Sequence, residues 1–269
     1  MDTEIIIFTD LDGTLLDHDN YTYSAAQPTL DYIRQHNIPL IFTTSKTSIE
    51  IEDLCKQTNS YHPFIAENGG LLAIPENYFS QQPISKKYNK HVIGKTRSEI
   101  TSTLLSLASS FQFKSFNDMS AKELIKHTGL DPQQAIYANQ RDCTEPLLWL
   151  DDPLKLNAFT KQLEKNELRL VSGGRFHHVM GHHDKATTMI TLKNTYEKNM
   201  DSKFVSIALG DSPNDVDMLK KADYGIVIPN PHAPKLSIEK HANLSHAKLP
   251  GPQGWNQTLL LLLKELLSD

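Results

Sequence analysis

Two short stretches carry most of the chemistry open to this 269-residue chain. Asp10-Leu11-Asp12-Gly13-Thr14 follows directly on the apolar run from Glu4 to Phe8. Ligands of open parallel sheets bind beyond the carboxyl ends of the strands, which is where Asp10 would stand. Gly13 lets the chain turn tightly enough to bring Asp12 back toward the same place. Two carboxylates that close repel unless a cation or a proton separates them. The pair suggests a division of labour: Asp10 ionised beside a hard metal as nucleophile, and Asp12 protonated as general acid and then base. The plain alternative is an Asp-Gly turn with a solvated neighbour.

Gly210-Asp211-Ser212-Pro213-Asn214-Asp215 repeats the pattern after a second apolar strand, and Asp215 opens the helix that follows. Magnesium takes oxygen ligands from one or two carboxylates, with water and substrate phosphate completing its shell. Asp10 and Asp211 can supply the carboxylates, while Asp215 and Asn214 order the metal waters. Helix capping by Asp215 is the competing reading. Thr44 and Ser45 end another strand, where a hydroxyl and backbone N–H groups can hold a phosphoryl oxygen. Lys185 opens a later helix and can neutralise both Asp10 and a transferring phosphoryl group. The bland counterparts are a capping hydroxyl and one solvated lysine among many.

The elements that must position these residues are legible in outline. Strands are expected over Glu4–Phe8, Ile38–Thr43 and Pro63–Ala66, with helices over Ser24–His36 and Ser48–Gln57 between them, the rhythm of a parallel α/β sheet. After about residue 80 the pattern changes. Helices are expected around Arg97–Ser110, Ala121–Thr128, Pro132–Ala138 and Pro153–Asn166, and Leu168–Met180 reads as a hairpin turning at Gly173-Gly174. From Lys185 the α/β rhythm resumes, with strands at Phe204–Leu209 and Tyr224–Ile228. The fold class is therefore α/β, a core interrupted by an inserted domain: residues 1–82 and 183–269 as the core, 83–182 as the insertion.

A formal net charge of −5 gives no general reason to expect nucleic acid as a partner. The run Leu259–Leu263 is too short to span a bilayer and reads as the buried face of a C-terminal helix. No membrane partner is expected. The acidic start Met1-Asp2-Thr3-Glu4 lacks the basic segment of a signal peptide. Cys55 and Cys143 match no metal or redox spacing and fit a reducing, cytoplasmic compartment.

Taken in order, DLDGT, a strand-end Thr44, an isolated Lys185 and GDSPND resemble the haloacid dehalogenase superfamily of phosphohydrolases. The resemblance implies a doubly wound core with an inserted α+β cap. It implies Asp10 as the site of a phosphoaspartate, Asp12 as acid and base, and Thr44 and Lys185 as phosphate contacts. Mg²⁺ would be held by Asp10, the carbonyl of Asp12, and Asp211. Thr44-Ser45-Lys46-Thr47, Glu67-Asn68-Gly69-Gly70, Gln140-Arg141 with Glu145-Pro146, Gly173-Gly174-Arg175-Phe176 and Gly251-Pro252-Gln253-Gly254-Trp255 narrow it further. Together they resemble the mannosyl-3-phosphoglycerate phosphatase family, which implies hydrolysis of a small-molecule partner, mannosyl-3-phosphoglycerate, to mannosylglycerate, a compatible solute, and phosphate.

Such a substrate carries a phosphate, a carboxylate and sugar hydroxyls. Arg141 and Arg175 suit bidentate binding of the carboxylate, Glu145 suits pairs of hydroxyls, and Gly173-Gly174 would let N–H groups approach an anion. Ser45 and Lys46 are further anionic contacts. His177, His178, His182 and His183 do not form a metal site, because adjacent strand residues face opposite ways; one of His177 or His178 faces the substrate, and His177 is the one assigned. Three other functions compete: a phosphatase for the glucosyl analogue or another sugar phosphate, a sugar phosphomutase, and a non-catalytic sugar-phosphate binder.

Overall fold

The computed structural model describes residues 3–173, 176–232, 235–238 and 242–267. The first part of the chain forms β1 (Thr3–Thr9), α1 (Gln27–Gln35), β2 (Leu40–Phe42), α2 (Ser48–Thr58) and β3 (Phe64–Ala66). β4 (Leu71–Pro75) and β5 (Tyr88–Val92) come next. The middle holds α3 (Arg97–Leu107), β6 (Phe113–Ser115), α4 (Ala121–Thr128), α5 (Pro132–Asn139), β7 (Thr144–Trp149), α6 (Leu156–Glu164), β8 (Arg169–Gly173) and β9 (Phe176–Met180). The chain closes with α7 (Lys185–Met200), β10 (Lys203–Gly210), α8 (Val216–Lys221), β11 (Tyr224–Val227), β12 (Leu244–His246) and α9 (Gly251–Leu267).

Five strands make one all-parallel sheet in the order β12-β11-β10-β1-β2. β1 does not alternate in polarity because both its faces are covered. Ile5 and Ile7 look toward a cluster with Leu30 of α1, Ile51 of α2 and Trp255, Leu259 and Leu263 of α9. Ile6 and Phe8 look the other way, toward Met189, Leu192 and Tyr196 of α7 and Met218 and Leu219 of α8. Helices on both faces are the doubly wound arrangement. Along α9, Leu259 and Leu263 are fully buried while Leu261 faces out. Each buried leucine contributes about 2 kcal/mol.

β3 was expected to extend this sheet, and it meets it through a single parallel bridge, Thr43 to Ile65. Its main partner is β4, antiparallel, and β4 pairs in turn with β5, so the pairing crosses residues 82 and 83. The cause is local. Glu67, Asn68 and Gly69 all take positive φ, which reverses the chain straight after β3. A second antiparallel sheet, β6-β7-β9-β8, lies in the middle of the chain. α3 and α6 cover it through Ile100, Leu104, Phe159 and Leu163, while Leu124 of α4 and Ala135 of α5 pack together in a separate cluster. No helix among the described residues is long and apolar enough to cross a membrane.

Candidate active site

Asp10 and Asp211 each follow a strand of the parallel sheet, β1 and β10, whose paired register brings their ends side by side. The Asp10 N–H donates to the Leu209 carbonyl at 2.9 Å. Lys185, the first residue of α7, reaches this edge from the far end of the chain. Its ammonium donates to Asp10 Oδ1 and to Asp215 Oδ1, both at 2.6 Å. Lys185, Asp10, Asp211 and Asp215 are all buried. Burial works against the charge on Lys185, but Asp10 and Asp215 outweigh it and hold the ammonium above its ordinary value. Burial raises the Asp10 carboxyl well above the usual range, with Lys185 opposing. Asp211 is raised too, by burial and then by Asp215.

Oxygens of Asp10, Asp211 and Asp215 lie within 4.8 Å of one another. Among the described residues one ammonium thus faces three buried carboxylates, a shortage of positive charge in an all-oxygen donor set. A hard divalent cation fits both features. Asp211 is aimed by two further donors, the Thr14 hydroxyl at 2.8 Å and the Asn230 amide at 2.7 Å. Gly13, at φ +78°, is needed twice over: a Cβ there would sit 2.8 Å from Asp211 Oδ2. Asn214 is exposed, its amide donating to Asn68 Oδ1 at 2.8 Å, and Asp215 accepts from the Asp211 and Ser212 N–H groups.

Asp12 stands half-buried with Oδ2 2.9 Å from Lys46 Nζ, and Oδ1 is a buried atom without a hydrogen-bond partner among the described residues. Burial opposes the charge on Lys46, but Asp12 and Glu50 outweigh it and raise its pKa. Beyond β2, the Thr43 N–H donates to the Thr9 carbonyl at 2.8 Å, which sets Thr44 and Ser45 beside the Asp10 loop. Thr44 is buried, its hydroxyl accepting from the Lys46 N–H at 3.3 Å. Ser45 lines a cavity of about 620 Å³ together with Lys185, Asn68, Asn214, Arg169 and His178.

The middle segment brings some expected residues to this place and sets others elsewhere. The Arg141 guanidinium donates to the Thr144 hydroxyl at 2.7 Å and lies over the Ser45 carbonyl at 3.5 Å, with Nε buried and unpartnered among the described residues. Glu145 is fully buried and spends its oxygens on Arg97 Nε at 2.6 Å and the Asn117 N–H at 2.7 Å, inside its own layer. Of the adjacent histidines, His178 lines the cavity, whereas His177 pairs its Nδ1 with the Ser172 hydroxyl at 3.2 Å. Burial pushes His178 down to about 3, helped by Arg141. Gly173 ends β8, opposite Phe176. Gly174 and Arg175 lie outside the described residues.

Three further contributors carry roles that the sequence motifs do not assign. Asn230 follows a strand end as Asp10 and Asp211 do, so position alone could have flagged it. Trp255 donates its indole N–H to the Thr9 hydroxyl at 2.9 Å, and Thr9 donates to the Asp10 carbonyl at 2.8 Å, a buttress beneath Asp10. Glu67 is fully buried and holds the loop before β7: it accepts from the Asp142 N–H at 2.6 Å, the Cys143 N–H at 3.2 Å and the Thr144 hydroxyl. A motif glutamate was visible, but its partners lie some 75 residues away.

Comparison with known proteins gives a consistent picture. A family described as haloacid dehalogenase-like hydrolase matches residues 7–247. A relative from Persephonella marina, named glucosyl-3-phosphoglycerate/mannosyl-3-phosphoglycerate phosphatase, is 34% identical over 266 residues, covering 97% of this chain and 98% of its own. A relative of the same name from Methanococcoides burtonii is 37% identical over 267 residues, covering 96% and 97%. A crystal structure from Thermoplasma acidophilum shares the fold with a TM-score of 0.67 at 14% identity, over 99% of this chain and 100% of that one.

Proposed function

The chain belongs to the haloacid dehalogenase-like hydrolases, and from that membership we propose that it is a Mg²⁺-dependent phosphatase of glycosyl-3-phosphoglycerates, mannosyl and glucosyl. The observation that carries the reading is the buried Lys185 bridging Asp10 and Asp215 beside Asp211 at the carboxyl edge of the parallel sheet. The names of the two full-length relatives supply the substrate class.

In this reading Asp10 attacks the phosphorus and forms an acyl phosphate, while Asp12 gives its proton to the departing C3 oxygen of the glycerate. Asp12 then takes a proton from a water that opens the acyl phosphate, which regenerates Asp10 and releases phosphate. Lys185 and the Thr44–Ser45 segment hold the phosphoryl oxygens and neutralise charge as it moves. Asp10, the Asp12 carbonyl and Asp211 would hold Mg²⁺, with Asp215 and Asn214 ordering its waters; the bound ion supplies Lewis-acid stabilisation of the phosphoryl group. Residues 1–82 and 183–269 act as the catalytic core and residues 83–182 as a cap that excludes water and selects the alcohol. Two buried, unpaired thiols, Cys55 and Cys143, suit a cytoplasmic enzyme.

The test is phosphate release from mannosyl- and glucosyl-3-phosphoglycerate with Mg²⁺, beside other sugar phosphates and the Asp10→Asn variant. Turnover of either glycosyl compound that is lost in the variant supports the reading. Turnover of other esters alone would keep the nucleophile and remove the substrate assignment. No phosphate release, with activity dependent on a bisphosphorylated activator, would make it a mutase. Binding without any turnover would make it a binder.

A further inference from the structure

Of the cavities beside the reactive residues, two flank Lys185 and the Asp12–Lys46 pair, and they differ in what they can receive. The cavity of about 620 Å³ is lined by Lys185, Ser45 and Asn214, the groups around the phosphoryl position. A smaller one, about 150 Å³, lies between the core and α5 and is lined by Leu16, Tyr21, Lys46, Gln57, Gln134 and Tyr137 among others. Lys46 ties it to Asp12 at 2.9 Å. Leu16 bridges Asp12 in the backbone, and its carbonyl accepts from the Gly13 N–H at 2.9 Å.

Geometry of proton transfer decides between them. The group that protonates a leaving oxygen must touch it, so the rest of the alcohol extends past that group. If Asp12 is the acid, the alcohol runs toward the smaller cavity. The lining has the character of a sugar site: amide and phenol side chains for hydroxyls, and an aromatic face for the ring's C–H side.

Tyr21 adds an independent observation. It is 43% exposed, yet its backbone sits at φ +57°, a region a bulky residue adopts at a cost in stability. Its ring lies 5.1 Å from Lys46 Nζ. Asparagine would take that φ more readily than an exposed aromatic.

We propose that the cavity between α2 and α5 is the subsite for the glycosyl ring, with Tyr21 as its stacking platform and Gln57, Gln134 and Tyr137 facing its hydroxyls. The proposal rests on the phosphatase reading above and deepens it. Specificity for a glycosylated alcohol then comes from the core loop that carries Tyr21 together with one cap helix, rather than from the β8–β9 hairpin.

The test compares kcat/KM on glucosyl-3-phosphoglycerate with kcat/KM on 3-phosphoglycerate, which lacks only the sugar. In Tyr21→Ala the ratio of the two falls by about tenfold, the factor a lost aromatic contact gives. Tyr21→Trp restores it. In Tyr21→Asn the ratio falls while the thermal midpoint holds or rises, which a merely structural tyrosine would not do. Gln134→Ala lowers the same ratio. If these ratios match the parent's while His178→Ala lowers it, the sugar lies in the larger cavity and the proposal is wrong, though the phosphatase reading stands. A parent enzyme that turns over both compounds without preference would remove the subsite and leave the phosphatase; turnover of neither would remove both.

Discussion

Lys185 is the residue on which the energetics of the site turn. A buried ammonium is costly to desolvate, and it is retained here because two carboxylates each accept from it at 2.6 Å. Removing it would leave Asp10, Asp211 and Asp215 buried together without a cation. Lys185→Met is therefore expected to destabilise by about 3–5 kcal/mol, the range for breaking a buried pair. Urea unfolding in the presence of a chelator measures it, and added Mg²⁺ should recover part of the loss. Asp10→Asn changes the balance in the opposite direction. It removes one of three carboxylates and leaves Lys185 its bond to Asp215. Its unfolding midpoint in chelator should hold or rise, while phosphate release falls by more than about a thousandfold, as expected when a nucleophile is lost. A stability loss as large as that of Lys185→Met would mean that Asp10 is chiefly structural.

Elements were legible wherever a local pattern decided them. β1, β10 and β11 are apolar runs with both faces covered, and the aspartates after β1 and β10 follow from strand position alone. The helices opened by Thr47, Thr96, Ser120 and Asp131 each carry a reciprocal capping box, so their starts are set within four residues. What long-range pairing decides was not legible. β3 reads like a parallel strand until the positive φ run at Glu67, Asn68 and Gly69 turns it back into β4. Glu145 suits sugar hydroxyls as a residue type, but only the fold reveals Arg97 beside it. The Glu67 turn is also the element that joins the layers, since its carboxylate gathers two N–H groups and a hydroxyl from the loop before β7, with Arg141 3.7 Å away. Glu67→Ala would strand those donors in a buried place, at about 1–3 kcal/mol for each one left unsatisfied. We expect a stability loss of at least about 2 kcal/mol by urea titration, with a raised KM because Arg141 loses its frame. Unchanged stability would show that water takes the place of the carboxylate.

At the scale of the molecule, the three imidazoles shifted furthest, in three places, tie folding to pH, and burial lowers His177 as well. His62 lies in the core with Nδ1 2.5 Å from the Tyr78 hydroxyl, and burial pushes it down to about 4. His178 lines the large cavity, and burial and then Arg141 push it down to about 3. His183 sits where the chain returns to α7, its ring in space that a side chain at Gly94 would need, and burial and Arg169 push it down to about 4. An unfolded chain binds these protons near pH 6.5. Between there and the folded values, unfolding takes up protons, so stability is full above about pH 6.5 and is lost as pH falls toward 4. Each imidazole adds a slope of up to about 1.4 kcal/mol per pH unit, opposed in part by Asp10 and Asp211, whose raised carboxyls release protons on unfolding. Urea midpoints at pH 7, 6 and 5 read the net slope, and histidine variants read each imidazole's share of it. His62→Gln keeps an acceptor for the Tyr78 hydroxyl but removes one titrating group, so it should flatten the fall by close to one proton. A variant as steep as the parent would place the acid sensitivity outside His62, and the same comparison at His183 would then ask whether acid opens the molecule first at the chain crossing beside the site.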